Sequence, residues 1–161
     1  MRTGSLEMRS IAILDASALV AAADRAQEEH ARCADVLRRR DLDFVIPVLV
    51  VAEASYLIGS RAGPLQEATF VRGLERFAID PPNPDEWPVI ADLVSRYADF
   101  PLGTVDASIA VLADRLETDL IVTLDRRHFG AIRSPRGRSF RLLPEPKQVH
   151  EDPVGYSPTP A

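Results

Sequence analysis

The sequence predicts an α/β fold, a three-layer sandwich with a mainly parallel central sheet and helices on both faces. Two observations carry this. Short apolar runs suited to buried strands alternate along the chain with longer helical stretches. The composition is 46% hydrophobic and 27% charged over 161 residues, which suits one soluble globular domain with a core of useful size.

The elements follow in order. Ile11-Ala12-Ile13-Leu14 is a buried strand, and Asp15-Ala16-Ser17 opens an alanine-rich helix. A second helix, about 27–40, ends in Arg38-Arg39-Arg40, where positive charge suits the helix dipole. Phe44-Val45-Ile46 is the next strand, and Pro47 fits the first turn of a helix over about 48–60. Gly63-Pro64 breaks it, and another helix covers about 65–75. A short strand at 77–79, a proline-rich loop at 81–84 and a helix over about 85–98 come next. Gly103-Thr104 starts a helix to about Glu117, with Thr104 the expected N-cap. Leu120–Leu124 is β-rich, His128 and Phe129 mark a turn with Phe129 in the core, and Phe140–Leu143 is the last strand. Residues 1–8 are expected to be flexible and 9–143 to form the domain. Residues 144–161 hold five of the 13 prolines and are expected to be a disordered tail.

Composition removes several chemistries. Cys33 is the lone cysteine, so neither an internal disulfide nor a cysteine-cluster zinc site can form. Lys147 is the lone lysine among 19 basic residues, and no Gly-Lys-Ser/Thr run exists, which excludes a P-loop. No stretch approaches the ~18 apolar residues of a membrane span, and Asp15 interrupts the nearest thing to a signal peptide. A cytoplasmic location is expected. The net charge of -5 argues, taken whole, against a nucleic-acid partner.

Four carboxylates stand in unusual places. Asp15 and Asp125 each follow a predicted strand, at the carboxyl end where ligands bind in open α/β sheets. Helix capping for Asp15 and a turn for Asp125 are the ordinary alternatives. Glu53 has Leu49, Val50, Tyr56 and Leu57 as its helical neighbours, so it projects from an apolar face and needs a cation, an arginine or a proton. A buried ion pair with an arginine and a metal site are equally good accounts of it. Asp106 has Leu102, Gly103, Ile109 and Ala110 around it, and an acid in a helix's first turn also suits the dipole. Ser17 could orient Asp15 or contact a metal-bound water. Asp114 and Asp119 are expected to be surface acids. Clustered carboxylates repel, and an oxygen-only set suits Mg²⁺ or Mn²⁺, which can activate water and stabilise charge at a phosphate. The three histidines are scattered, so a histidine-based zinc site has little support.

Residues 126–141 carry Arg126, Arg127, Arg133, Arg136, Arg138 and Arg141 and no acid. This basic segment directly follows Asp125 and is expected to hold a phosphate backbone, with Arg126, Arg127, Arg133 and Arg136 as RNA contacts. The plainer account is a solvated run paired with nearby acids. No aromatic interleaving of the single-strand-binding kind is visible.

Taken together, these segments resemble PIN domains. Ile13-Leu14-Asp15-Ala16-Ser17-Ala18-Leu19 resembles the family's opening motif, and Val50-Val51-Ala52-Glu53 its second. Thr104-Val105-Asp106-Ala107 and Val122-Thr123-Leu124-Asp125-Arg126-Arg127-His128-Phe129 are similar to the third and fourth. The compact form is most similar to the VapC toxins of VapBC toxin–antitoxin modules. The resemblance implies a PIN-like sandwich and a Mg²⁺- or Mn²⁺-dependent ribonuclease acting on structured RNA such as tRNA or rRNA. It implies Asp15, Glu53, Asp106 and Asp125 as the acidic site. Asp15 and Asp106 would hold the principal metal, Glu53 and Asp125 would complete the cage, and Ser17 and Thr104 would support it. It also implies a homodimer silenced by a VapB-type antitoxin. The proline-rich tail departs from the family pattern.

The same residues admit two rival functions. A non-catalytic PIN-fold module binding RNA or protein would not need all four acids. A phosphoaspartate enzyme built on Asp15 would resemble families that use a core lysine, which is absent here, and dehalogenase-like sites want an acid where Ser17 stands.

Overall fold

A computed structural model of the chain describes residues 9–100 and 102–147. Residues 1–8 and 148–161, where flexible or disordered chain is expected, lie outside the described residues.

The chain runs β1 (Ser10–Leu14), α1 (Ala16–Ala23), α2 (His30–Leu37), β2 (Leu42–Pro47), α3 (Val48–Ala62), α4 (Pro64–Gly73) and β3 (Ala78–Asp80). It continues through α5 (Glu86–Arg96), α6 (Thr104–Arg115), β4 (Leu120–Val122), α7 (Arg126–Ala131) and β5 (Arg141–Leu143). The five strands lie in the order β3-β2-β1-β4-β5, every pair parallel. Right-handed crossovers direct α1–α4 to one face and α5–α7 to the other. Accordingly α1 packs on α2 and α3, α3 on α4, and α5 on α6.

The central strands are buried on both sides. Ala12, Ile13, Leu14, Ile46, Ile121 and Val122 are sealed, which is why the central parts of these strands, 11–14, 44–46 and 120–122, read as unbroken apolar runs. Gly63, at φ 88, turns the chain between α3 and α4, and Pro64 occupies the first helical position after it. The single thiol, Cys33 on α2, is fully buried. Burial and then the charge of Glu29 push its pKa up. No helix among the described residues is long and apolar enough to cross a membrane.

Several expectations need correction. Pro47 closes β2 rather than opening α3. Residues 126–131 form a short helix, not a turn, although Phe129 is sealed in the core as expected. Asp114 is no surface acid. It is buried, with Oδ1 accepting from Ser134 Oγ and Oδ2 from the Arg136 backbone N–H, both at 2.7 Å. A carboxylate can afford that position only because it anchors a loop whose donors would otherwise go unpaired. Asp119 is the surface partner of Arg141.

Candidate active site

In a wholly parallel sheet every carboxyl end lies on one edge. The strand order reverses between β1, which leads away toward β2, and β4, which leads toward β5. Such a switch point opens a crevice at the carboxyl edge. Asp15 leaves β1 there and Asp125 leaves β4. Crossover helices run back against the strands, so α6 presents its N-terminal turn, with Asp106, to the same edge. α3 starts from that edge and touches α6, and Glu53 lies in its second turn.

Asp15 is 5% exposed. It occupies the position preceding α1, yet its side chain makes no capping bond. Instead its Oδ2 accepts from Ser17 Oγ at 2.6 Å and from Thr123 Oγ1 at 2.7 Å. The two hydroxyls lie 3.2 Å apart. Each also accepts a backbone N–H beyond β4: Leu124 N–H donates to Ser17 Oγ and Asp125 N–H to Thr123 Oγ1, both at 2.9 Å. The network ties the two strands of the crevice together and leaves Asp15 Oδ1 outside it. Ser17 thus orients Asp15, one of its two expected roles. Thr123, fully buried, does the same. In the sequence Thr123 is an ordinary β-branched residue of a strand-forming run, and its place two before Asp125 is the signal of this role.

Asp106 is half-buried, and its pKa is pushed up to about 6, by burial first and then by the charge of Asp15. His128 and the Gly103 backbone oppose that shift, and Asp125 adds to it. Thr104 is not the cap of α6. Gly103 holds that position without a side-chain cap, and Thr104 is an exposed first-turn residue. Glu53 does not meet an apolar interior. It stands solvent-accessible at the mouth of the crevice, with no arginine partner among the described residues, so the buried ion pair is absent. Partial burial, then Asp15 and Asp106, raise its pKa. Asp125 caps α7, its Oδ1 accepting from the His128 backbone N–H, while Oδ2 lies 2.6 Å from His128 Nδ1.

The four acids therefore lie toward one edge of the sheet, near enough that the charges of Asp15 and Asp125 act on Asp106 and those of Asp15 and Asp106 act on Glu53. Among the described residues no three metal-ligating side chains close on a single point. In its chemistry the set is nonetheless one for a hard divalent ion: all donors are anionic oxygens, and Asp106 and Glu53 are raised in pKa by burial first and then by neighbouring acids.

The arginine segment does not form one basic edge. Arg126 donates to the Pro144 carbonyl, and Arg127, two residues after Asp125, is exposed. Arg133 and Arg136 are exposed in the loop anchored by Asp114, which lies two turns, about 12 Å, along α6 from Asp106. Arg138 lies 3.8 Å from Asp114, and Arg141 pairs with Asp119 at the opposite end of β4 from Asp125.

The sequence profile of the PIN domain matches residues 12–133, and the chain belongs to the PIN-domain family. Within that family it stands with the VapC ribonucleases. It is 38% identical over 134 residues to Ribonuclease VapC26 of Mycobacterium tuberculosis, covering 82% of this chain and 99% of that one. Solved structures share the fold. VapC20 of M. tuberculosis, described as a sarcin-ricin loop cleaving toxin, superposes with a TM-score of 0.63 at 13% identity, covering 68% of this chain and 86% of that one. VapBC2 of Rickettsia felis, bound to a promoter DNA fragment, gives 0.60 at 18%, covering 82% and 96%. DNA-bound VapBC of Salmonella typhimurium gives 0.59 at 19%, covering 84% and 97%.

Proposed function

We propose that this chain is a VapC-type endoribonuclease, the toxin of a toxin–antitoxin pair, hydrolysing phosphodiesters of structured RNA such as tRNA or rRNA in the cytoplasm. The observation that carries the site assignment is Asp15, buried at the β1/β4 switch point with one oxygen fixed by two hydroxyls. Kinship to Ribonuclease VapC26 over nearly that protein's whole length supports the activity.

Asp15 and Asp106 would hold the principal Mg²⁺ or Mn²⁺, with Glu53 and Asp125 completing the set through water or a second ion. Such an ion supplies an activated water and charge stabilisation at the phosphate. The chain's own work is positional. Ser17 and Thr123 keep Asp15 in one rotamer, so its free oxygen needs no reorganisation to meet a ligand. Asp125 sets the orientation of His128 through Nδ1. Burial and neighbouring acids raise the pKa of Asp106 and Glu53, and a bound cation would favour their ionised forms.

A VapB-type antitoxin and a second copy of the chain are the proposed partners. A dimer face centred on Ile58 of α3 is unsuited, because Ile58 is buried in the core. Exposed Tyr56 and Leu65 lie on the neighbouring helical surface and are better placed.

The test is cleavage of a panel of structured RNAs with Mg²⁺ or Mn²⁺. Asp15→Asn, or excess chelator, is expected to lower the rate at least about 100-fold. Unchanged cleavage in either arm rejects the metal mechanism. A wild type that binds RNA but never cuts it favours the non-catalytic module.

A further inference from the structure

We propose that Arg127 and Phe100 form a nucleobase-stacking subsite beside the four acids, taking an unpaired nucleotide next to the scissile phosphate. This deepens the ribonuclease reading and rests on it. The guanidinium of Arg127 lies over the Phe100 ring, 5.6 Å from its centroid. Phe100 in turn meets the His128 ring edge-on, with centroids 5.0 Å apart and planes at 79°. His128 is held by Asp125 at 2.6 Å. An unbroken chain of contacts thus runs from a site carboxylate out to an exposed, flat cation.

Arg127 has no acidic partner among the described residues, a property it shares with other arginines such as Arg133 and Arg136, whereas Arg9, Arg38, Arg39, Arg115 and Arg141 pair with carboxylates. Two further features set it apart. Its planar group is backed on one side by an aromatic ring, which holds it as a surface rather than a swinging charge. It also lies close in the chain to two of the acids: Phe100 is on the segment that leads into α6 and Asp106, and Arg127 follows Asp125 by two residues. RNA enzymes and binding proteins take splayed-out bases on such aromatic or guanidinium planes. A purine, with the larger π-face, is the better occupant. The sequence hid this arrangement because the aromatic partner lies 27 positions from the arginine it supports.

The test uses the full chain and fluorescent RNA hairpins whose loops are all adenine or all uracil, with binding measured by anisotropy in chelator. Wild type is expected to favour the adenine loop. Arg127→Lys keeps the charge and the exposed position, and should weaken adenine-loop binding about ten-fold while bringing the two loops together. The salt dependence should change little, because no phosphate-neutralising charge is lost. Phe100→Leu should act in the same direction. With Mn²⁺ present, KM should rise by about ten-fold and kcat should hold within about two-fold. An unaltered base preference in Arg127→Lys overturns the subsite, as does a wild type with no loop preference. Loss of preference in the variant, alongside a wild type that cuts no RNA, would reject the ribonuclease reading and leave the subsite standing.

Discussion

Thr123 is the residue on which the geometry of the crevice turns. Its hydroxyl donates to Asp15 Oδ2 and accepts from the Asp125 backbone N–H, so one side chain fixes one site acid and the backbone of another. Thr123→Val keeps shape and removes both bonds. In a fully buried place this is expected to cost about 1–3 kcal/mol of stability, seen in urea unfolding, and to lower kcat more than it raises KM. Thr123→Ser should restore most of both. Asp15 itself was legible in the sequence, because an acid ending an apolar run is conspicuous. Thr123 was not. A threonine inside a β-rich run has an ordinary reason to be there, and only the pairing of β1 with β4 brings it to Asp15.

At the scale of elements, α6 carries two acids with opposite duties. Asp106, in its first turn, faces the crevice. Asp114, near its end, holds the loop between α7 and β5 through Ser134 and the Arg136 N–H. Asp114→Asn should replace one accepting oxygen with a donor facing the Arg136 N–H or the Ser134 hydroxyl. The expected outcome is a loss of about 2–4 kcal/mol and faster amide exchange at Arg136 and Arg138, with the acidic site intact. The strand and helix order was readable from apolar runs broken by glycine and proline, and nearly every element appears where those breaks put it. α7 was missed because six residues with three basic side chains give no helical period. Asp114 was misplaced because its partners come from a loop 20 residues later, which no local pattern encodes.

For the whole molecule, charge placement matters more than the total of -5. Burial and the neighbouring Asp15 push the Asp106 carboxyl up to about 6 in the fold from its ordinary 3.8, so the native state binds a proton more tightly than the unfolded chain. The stability from that proton is fully present below about 3.8 and is lost as pH rises through about 6. Metal-free protein should therefore melt lower at pH 7.5 than at pH 5, by the equivalent of about 1–2 kcal/mol once solvent screening is allowed for. Asp106→Asn should flatten that difference. Mn²⁺ at 100 times its Kd should restore about 2.7 kcal/mol at pH 7.5, by preferential binding to the native state. A thermal scan with and without Mn²⁺ at both pH values checks all three.

The solitary Cys33 gives this molecule a built-in clock. The thiol is sealed against α2's neighbours and its ionisation is suppressed, so a thiol reagent in solution meets it only when that part of the fold opens. With no second cysteine to compete or scramble, all labelling reports on this one position. Where reclosing outpaces modification, the labelling rate divided by that of the unfolded chain gives the opening equilibrium directly. The native sequence, without an engineered probe, thus reports how often its helical layer comes apart, and whether cation, RNA or a partner chain slows that breathing.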